Sequence, residues 1–289
     1  MKTEQLLEQV NNQILEMMQT NGTEWARPWA QKIANGAHYN VISKKPYSGI
    51  NTFITAFTPY SAPIWGTYKQ WSEKGAQVKK GEKATHIFYM APFTPKDATT
   101  RGDGTKRTAF VTKCYAVFNA EQVDGFDIPA AGEFVAPDIA STINEVELFV
   151  QQTNAIINKT GETAFYSPAN DCIQIPEINR FFSAEGYYGT LLHELTHWTG
   201  SEKRCNRKFS TRFGSEDYAR EELVAEIGSA QLCALLNITS EPRTDHAKYI
   251  NSWMQVIKDD NKAMMKAFSQ AGKAVNYLLA TQNMTAIAA

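Results

Sequence analysis

Leu191-Leu192-His193-Glu194-Leu195-Thr196-His197-Trp198 is the segment whose reading decides the fold. Two histidines four apart lie one helical turn apart on one face, so both imidazoles can reach a single cation. Glu194 leans toward the same place, where it can take a proton from water without ligating the ion. Leu191, Leu192, Leu195 and Trp198 supply the packing that buries such a helix. Because the pattern also arises by chance, its surroundings carry weight.

A catalytic zinc usually has three protein ligands and one open position. Arg220-Glu221-Glu222-Leu223-Val224-Ala225-Glu226-Ile227 reads as a second helix, with Glu222 placed 25 residues after His197. Glu222 is the expected third ligand; Glu221 and Glu226 are the remaining candidates. Glu226, one turn beyond Glu222, is expected to accept a hydrogen bond from the outer nitrogen of a ligand histidine. A solvated acidic face is the competing reading. Against it, Leu223, Val224, Ile227 and Ala230 mark a buried helix, and buried carboxylates need a partner charge. Zinc held there would bring the pKa of a water toward roughly 7 and polarise a carbonyl. Glu194 would be the general base. Residues 172–175 are expected to form an edge strand that pairs with an extended substrate. Tyr187, Tyr188 and His246 are lesser candidates for an oxyanion donor.

The chain has 289 residues, 43% hydrophobic and 20% charged, which suits a soluble protein of one large or two ordinary domains. No apolar run approaches the roughly 18–20 residues that span a bilayer. The N-terminus runs into a polar amphipathic stretch without a secretory core, so the cytoplasm is the expected location. Cys114, Cys172, Cys205 and Cys233 form no Cys-x-x-Cys pair and read as free thiols.

The net charge of −1 conceals an asymmetry. Residues 1–130 carry 15 Lys and Arg against 11 Asp and Glu, and the remainder 14 against 19. Within 30–120 the excess is 13 basic against 4 acidic. A basic module joined to an acidic one suggests that the first half meets a polyanion. The division expected is 1–130 followed by 131–289, both α+β, the first small and basic, the second mainly helical.

Leu6, Leu7, Val10, Ile14, Leu15 and Met18 predict a helix over 3–20. Short strands are expected from 25 to 120, with a helix near 67–74, a mobile hairpin loop at 94–108 and a linker around 122–138. The second half predicts helices at 141–159, 183–199, 216–237, 244–258 and 260–280, with a strand pair at 164–166 and 172–175.

In the basic half, Tyr47, Trp65, Tyr68 and Trp71 interleave with Lys44, Lys45, Lys69, Lys79, Lys80 and Lys83. Aromatic faces beside lysines are how single-stranded nucleic acid is commonly held. Tryptophans in a small domain usually form its core, so for any one of these aromatics the core is the favoured reading, whereas the pattern as a whole favours nucleic acid.

Taken together, these motifs resemble the ArdC-type antirestriction proteins of conjugative plasmids and phages, whose N-terminal domain also opens some plasmid primases. The matching residues are Trp29 with Asn40, Tyr47-Ser48-Gly49-Ile50-Asn51, Trp65-Gly66-Thr67-Tyr68-Lys69-Gln70, Gly75-Ala76 and Val78-Lys79-Lys80-Gly81-Glu82-Lys83. In the second half they are Asp171 with Ile173 and Pro176, Leu192 to Gly200, Arg204 with Arg207, and Glu221 to Glu226. The resemblance implies a domain that binds single-stranded DNA, Asn51 being included among its contacts, and a zincin-like metallopeptidase domain. It also implies protection of incoming DNA from restriction. Zinc is the expected cofactor, with manganese or another divalent ion as the alternative. The expected partners are single-stranded DNA and an unidentified protein substrate, a component of the host restriction system being one candidate. No membrane partner is expected. The competing readings are a non-enzymatic DNA-coating protein with a structural or vestigial metal site, and a plain peptidase with a protein-recognition module.

Overall fold

The computed structural model describes residues 1–22, 25, 38–93, 109–129, 139–207, 215–238 and 250–282. The expected loop at 94–108, the later part of the expected linker, Trp29 and His246 lie outside them. The described residues divide into two units, 1–10 with 38–129, and 11–22 and 25 with 139–282. Residues 11–22 therefore group with the second half, where a single cut near 130 would have left them in the first. The cause is local. The apolar stripe of helix α1 (Thr3–Asn21) continues past Val10 through buried Ile14, Met17 and Met18, and the Asn11 amide donates to the Asn261 carbonyl at 2.8 Å.

The first unit is built on a four-stranded sheet of order β1-β2-β5-β4. Strand β1 (Tyr39–Asn40) runs parallel to β2 (Ile64–Gly66), and β5 (Ala109–Asn119) is antiparallel to both β2 and β4 (Thr85–Phe93). Helix α2 (Ile50–Ala56) packs on β4, and α3 (Tyr68–Glu73) follows β2 directly. Thr67 caps α3 through a reciprocal box with Gln70, and the Gln70 side chain also accepts from Asn40 at 3.0 Å. A Cβ on Gly66 would stand 2.8 Å from Val41 and 3.0 Å from the Trp71 indole, so only glycine lets β2 pass there. The run from Trp65 to Gln70 is thus explained by packing and capping. Strands β3 (Gln77–Val78) and β6 (Val123–Asp124) pair antiparallel, which turns the first residues of the expected linker into sheet.

The second unit opens with α4 (Ile139–Gln152), shorter than the expected 141–159 helix at its far end. Asn154 at φ 56° breaks the helix, and the β-branched pair Ile156-Ile157 continues as β7 (Ile156–Lys159). Strands β7, β8 (Phe165–Ser167) and β9 (Cys172–Ile175) form a sheet of order β7-β9-β8. β9 is central, parallel to β7 and antiparallel to β8, so it is not the expected edge strand; β8 is. Helices α5 (Ala184–Trp198), α6 (Glu216–Leu235), α7 (Ile250–Asp259) and α8 (Ala263–Ala280) complete the unit around a core of Phe149, Ile173, Leu191, Leu192, Leu195, Leu232 and Leu278. The first six residues expected in a helix at 244–258 lie outside the described residues. Among the described residues no helix is long and apolar enough to cross a membrane.

Candidate functional site

Ser183 caps α5 by accepting from the Gly186 amide at 2.9 Å, and Ser215 caps α6 by accepting from Tyr218 at 3.2 Å. The two helices meet where Gly228 faces Thr196. A Cβ there would lie 2.6 Å from the threonine methyl, so glycine permits the close approach. Ser229 then donates to the Gly189 carbonyl at 3.0 Å. This contact sets the carboxylates of α6 against the histidines of α5.

His193, His197 and Glu222 are all buried and offer one ligand atom each within 4.8 Å of one another. The two Nε2 atoms are 3.1 Å apart; Glu222 oxygens lie 3.4 Å from His193 Nε2 and 3.6 Å from His197 Nε2. Two nitrogens at about 2.1 Å from a tetrahedral ion stand about 3.4 Å apart, so the donor set fits one divalent cation. Burial disfavours a charged His197, yet the Glu222 charge and hydrogen bonds to Glu221 and Glu222 hold the ion-free imidazole up at about 10. Burial likewise opposes the Glu222 anion, but the His197 charge and hydrogen bonds from both histidines hold its carboxyl far below the usual range. In the ion-free protein a proton sits where a cation fits.

The outer shell holds a carboxylate besides the expected Glu226. His197 Nδ1 donates to Glu221 at 3.1 Å, whereas Glu226 lies 3.8 Å from His193 Nδ1. Glu221 is the orienting carboxylate of His197. Arg207 fixes it through Nε at 3.0 Å and Nη2 at 2.7 Å, and ties it to α5 by donating to Thr199 Oγ1 and the Thr196 carbonyl. Despite burial, the hydrogen bonds from His197 and Arg207 hold Glu221 below the usual carboxylate range. Helical spacing could not separate Glu221 from Glu222; only the place of Arg207 does.

Glu194 accepts from the backbone amide of Tyr166 in β8 at 2.9 Å. Behind β8, Tyr166 Oη donates to Asp171 at 2.9 Å and Arg204 forks onto Asp171. Arg204 also donates to the Trp198 carbonyl at 2.6 Å and stacks 3.8 Å above that indole. The Arg204 hydrogen bonds, with Tyr166 assisting, hold Asp171 below its ordinary range even though burial opposes. The motif residues Asp171 and Arg204 thereby lock the edge strand beside Glu194. Tyr187 and Tyr188, offered above as oxyanion donors, pack in the core instead, and the Tyr188 hydroxyl is committed to Glu147 at 2.9 Å.

The residues proposed to contact DNA divide in two. Trp65 is 0% exposed, with Nε1 3.3 Å from His38 and its ring against Tyr60, so it offers no stacking face. The Asn51 amide is spent on β4, donating to the Phe88 carbonyl at 2.7 Å and accepting from the Phe88 amide at 2.8 Å. Tyr47 is half-buried, and burial pushes its phenol up, with Asn40 opposing. By contrast Lys44, Lys45, Lys69, Lys80 and Lys83 are exposed, and exposed Tyr68 (54%) touches Gln77 of β3. Lys79 is exposed but donates to the Glu121 carbonyl at 2.9 Å. Trp65→Ala is therefore expected to cost about 3–5 kcal/mol of stability. A melt of the variant should show that loss, whereas unchanged stability with weakened DNA binding would restore the stacking role.

Comparison with known proteins agrees with this geometry. Residues 144–270 match the family described as zincin-like metallopeptidase, and residues 4–118 match that of the N-terminal domain of the anti-restriction factor ArdC. An uncharacterised protein of Sinorhizobium fredii, y4eC, is 36% identical, the match covering 96% of this chain and 92% of that protein. A DNA primase TraC of Escherichia coli is 35% identical over 94% of this chain, which spans only 27% of the primase. Crystal structures of the antirestriction protein ArdC of plasmid R388 superimpose with TM-scores of 0.75 for the metal-free form and 0.76 for the Mn(II)-bound form. Identity is 32% and 33%, with 96% of this chain and 97% of each structure covered. A group of two histidines and a glutamate with the geometry to hold a divalent ion lies in a chain similar to one crystallised with Mn(II). With both family models matched in order and full-length likeness to the R388 protein, this chain belongs to the ArdC antirestriction family.

Proposed function

We propose that the chain protects incoming plasmid or phage DNA from host restriction by binding single-stranded DNA and by cleaving a protein with a zinc-dependent peptidase site. The observation that carries the enzymatic part is the buried convergence of His193, His197 and Glu222 beside an oriented Glu194. His193, His197 and Glu222 would hold the ion, and zinc suits imidazole and carboxylate donors. Bound there, it supplies Lewis acidity toward water and a carbonyl. Glu194, kept in place by the Tyr166 amide, takes the proton from the attacking water and delivers it to the leaving amine. Glu221 and Arg207 fix the ring of His197, and β8 presents the open sheet edge on the side of Glu194.

For the DNA, the support is the exposed lysine set of the first unit with Tyr68 among it. The likeness to proteins called DNA primases points the same way. A labelled oligo(dT) titrated at two salt concentrations tests the reading. Each phosphate contact on a single strand contributes about −0.7 to the slope of log affinity against log salt. Several contacts should give a slope steeper than about −2, and no binding, or binding indifferent to salt, would reject the DNA role.

A further inference from the structure

The ribbon formed by β4 and β5 carries aromatic side chains that the sequence pattern did not single out. Tyr89 pairs with Lys113, and Ile87 with Tyr115. Side chains two apart on a strand share a face, so Tyr89, Tyr115 and Lys113 stand together. Tyr89 is 52% and Tyr115 41% exposed, and Lys113 is exposed beside them. The tyrosine rings meet edge to face, with centroids 5.5 Å apart and planes at 89°. In that arrangement one ring covers at most one face of the other, leaving ring faces open to a planar partner. On the same side of the ribbon, Ile87 and Val117 are buried. The exposed rings thus sit on a firmly packed base.

Surface tyrosines are ordinary in strands, and a cross-strand pair adds only about 0.2–1 kcal/mol. Two features argue for more here. Both rings remain substantially open, and neither strand contains an Asp or Glu while Lys113 stands on the same face as the rings, directly across from Tyr89. That combination of open aromatic faces, a cation and no opposing anion matches a stacked, phosphate-bearing strand better than an apolar protein surface.

We infer that Tyr89 and Tyr115 form a base-stacking platform for single-stranded DNA, with Lys113 meeting a phosphate between the stacked bases. The inference rests on the DNA reading above and assigns to it residues other than Tyr68 and the lysines named with it.

The test compares the full chain with its Tyr89→Ala/Tyr115→Ala variant on two probes of equal length, oligo(dT) and an abasic backbone. Stacking contributes about 1–3 kcal/mol per base, so the double variant, which loses both rings, should bind oligo(dT) at least roughly 30-fold more weakly. Its affinity for the abasic backbone should match that of the unaltered chain. If the unaltered chain binds oligo(dT) and the variant binds it equally well, the platform is wrong while the DNA reading stands. Equal losses on both probes would also overturn the platform, because stacking requires bases. If the unaltered chain binds neither probe, the DNA reading itself fails and takes the platform with it. Should the double variant not fold, Tyr89→Ala and Tyr115→Ala singly carry the same comparison.

Discussion

Glu222→Gln is expected to leave the protein unable to retain a divalent ion through dialysis. Glu222 reaches both ligand nitrogens, at 3.4 and 3.6 Å, and the amide keeps its shape while removing the charge. Loss of an outer hydrogen-bond partner typically costs about 10–100-fold in metal affinity. Glu221→Gln should fall in that range, and Glu222→Gln well beyond it. Elemental analysis and calorimetric titration with Zn2+ and Mn2+ would separate the two. Wild-type affinity in Glu222→Gln would move the third ligand to another residue. The same titration should depend on pH. Without the ion His197 is protonated up to about pH 10, so binding must expel that proton. Affinity should therefore rise with pH across the neutral range, with about one proton released per ion bound.

Glu194→Gln should abolish turnover while leaving the ion in place. The amide oxygen still accepts from the Tyr166 N–H, so the edge strand stays anchored, but the side chain can no longer take a proton. General-base catalysis is worth about 10²–10⁴-fold, and the loss should be at least that large. The readouts are peptidase activity against an unfolded protein mixture and the survival of unmodified plasmid DNA entering a restricting host. If protection persists undiminished in the ion-loaded variant, coating of DNA is sufficient for it and the peptidase reading gives way.

The convergence of His193, His197 and Glu222 was legible because helical periodicity is rigid. Spacing alone put His193 and His197 on one face, and the spacing of Glu222 and Glu226 in an apolar helix marked the acidic partner. What spacing cannot express is lateral choice between neighbours, and so Glu221 stays a weaker ligand candidate behind Glu222 until the place of Arg207 makes it the partner of His197. The α+β class was legible for the same reason. Strand order was not, since which of two short strands lies inside a sheet depends on a third, β7, whose residues continued a helical pattern. In the first unit, composition identified aromatics and lysines without their exposure. Trp65 turned inward beside Gly66, Asn51 turned to the β4 backbone, and the outward rings of Tyr89 and Tyr115 came from a stretch in which only short strands were expected.

Trp65 and Trp71 in one unit, and Trp25 and Trp253 in the other, are wholly enclosed, while Trp198 lies beneath a guanidinium. Their emission should begin blue-shifted and redden only when the surrounding core opens to water. Indole fluorescence is therefore a built-in gauge of unfolding in either half. These five indoles should respond little to an oligonucleotide on the surface, whose arrival is better followed from a dye on the nucleic acid.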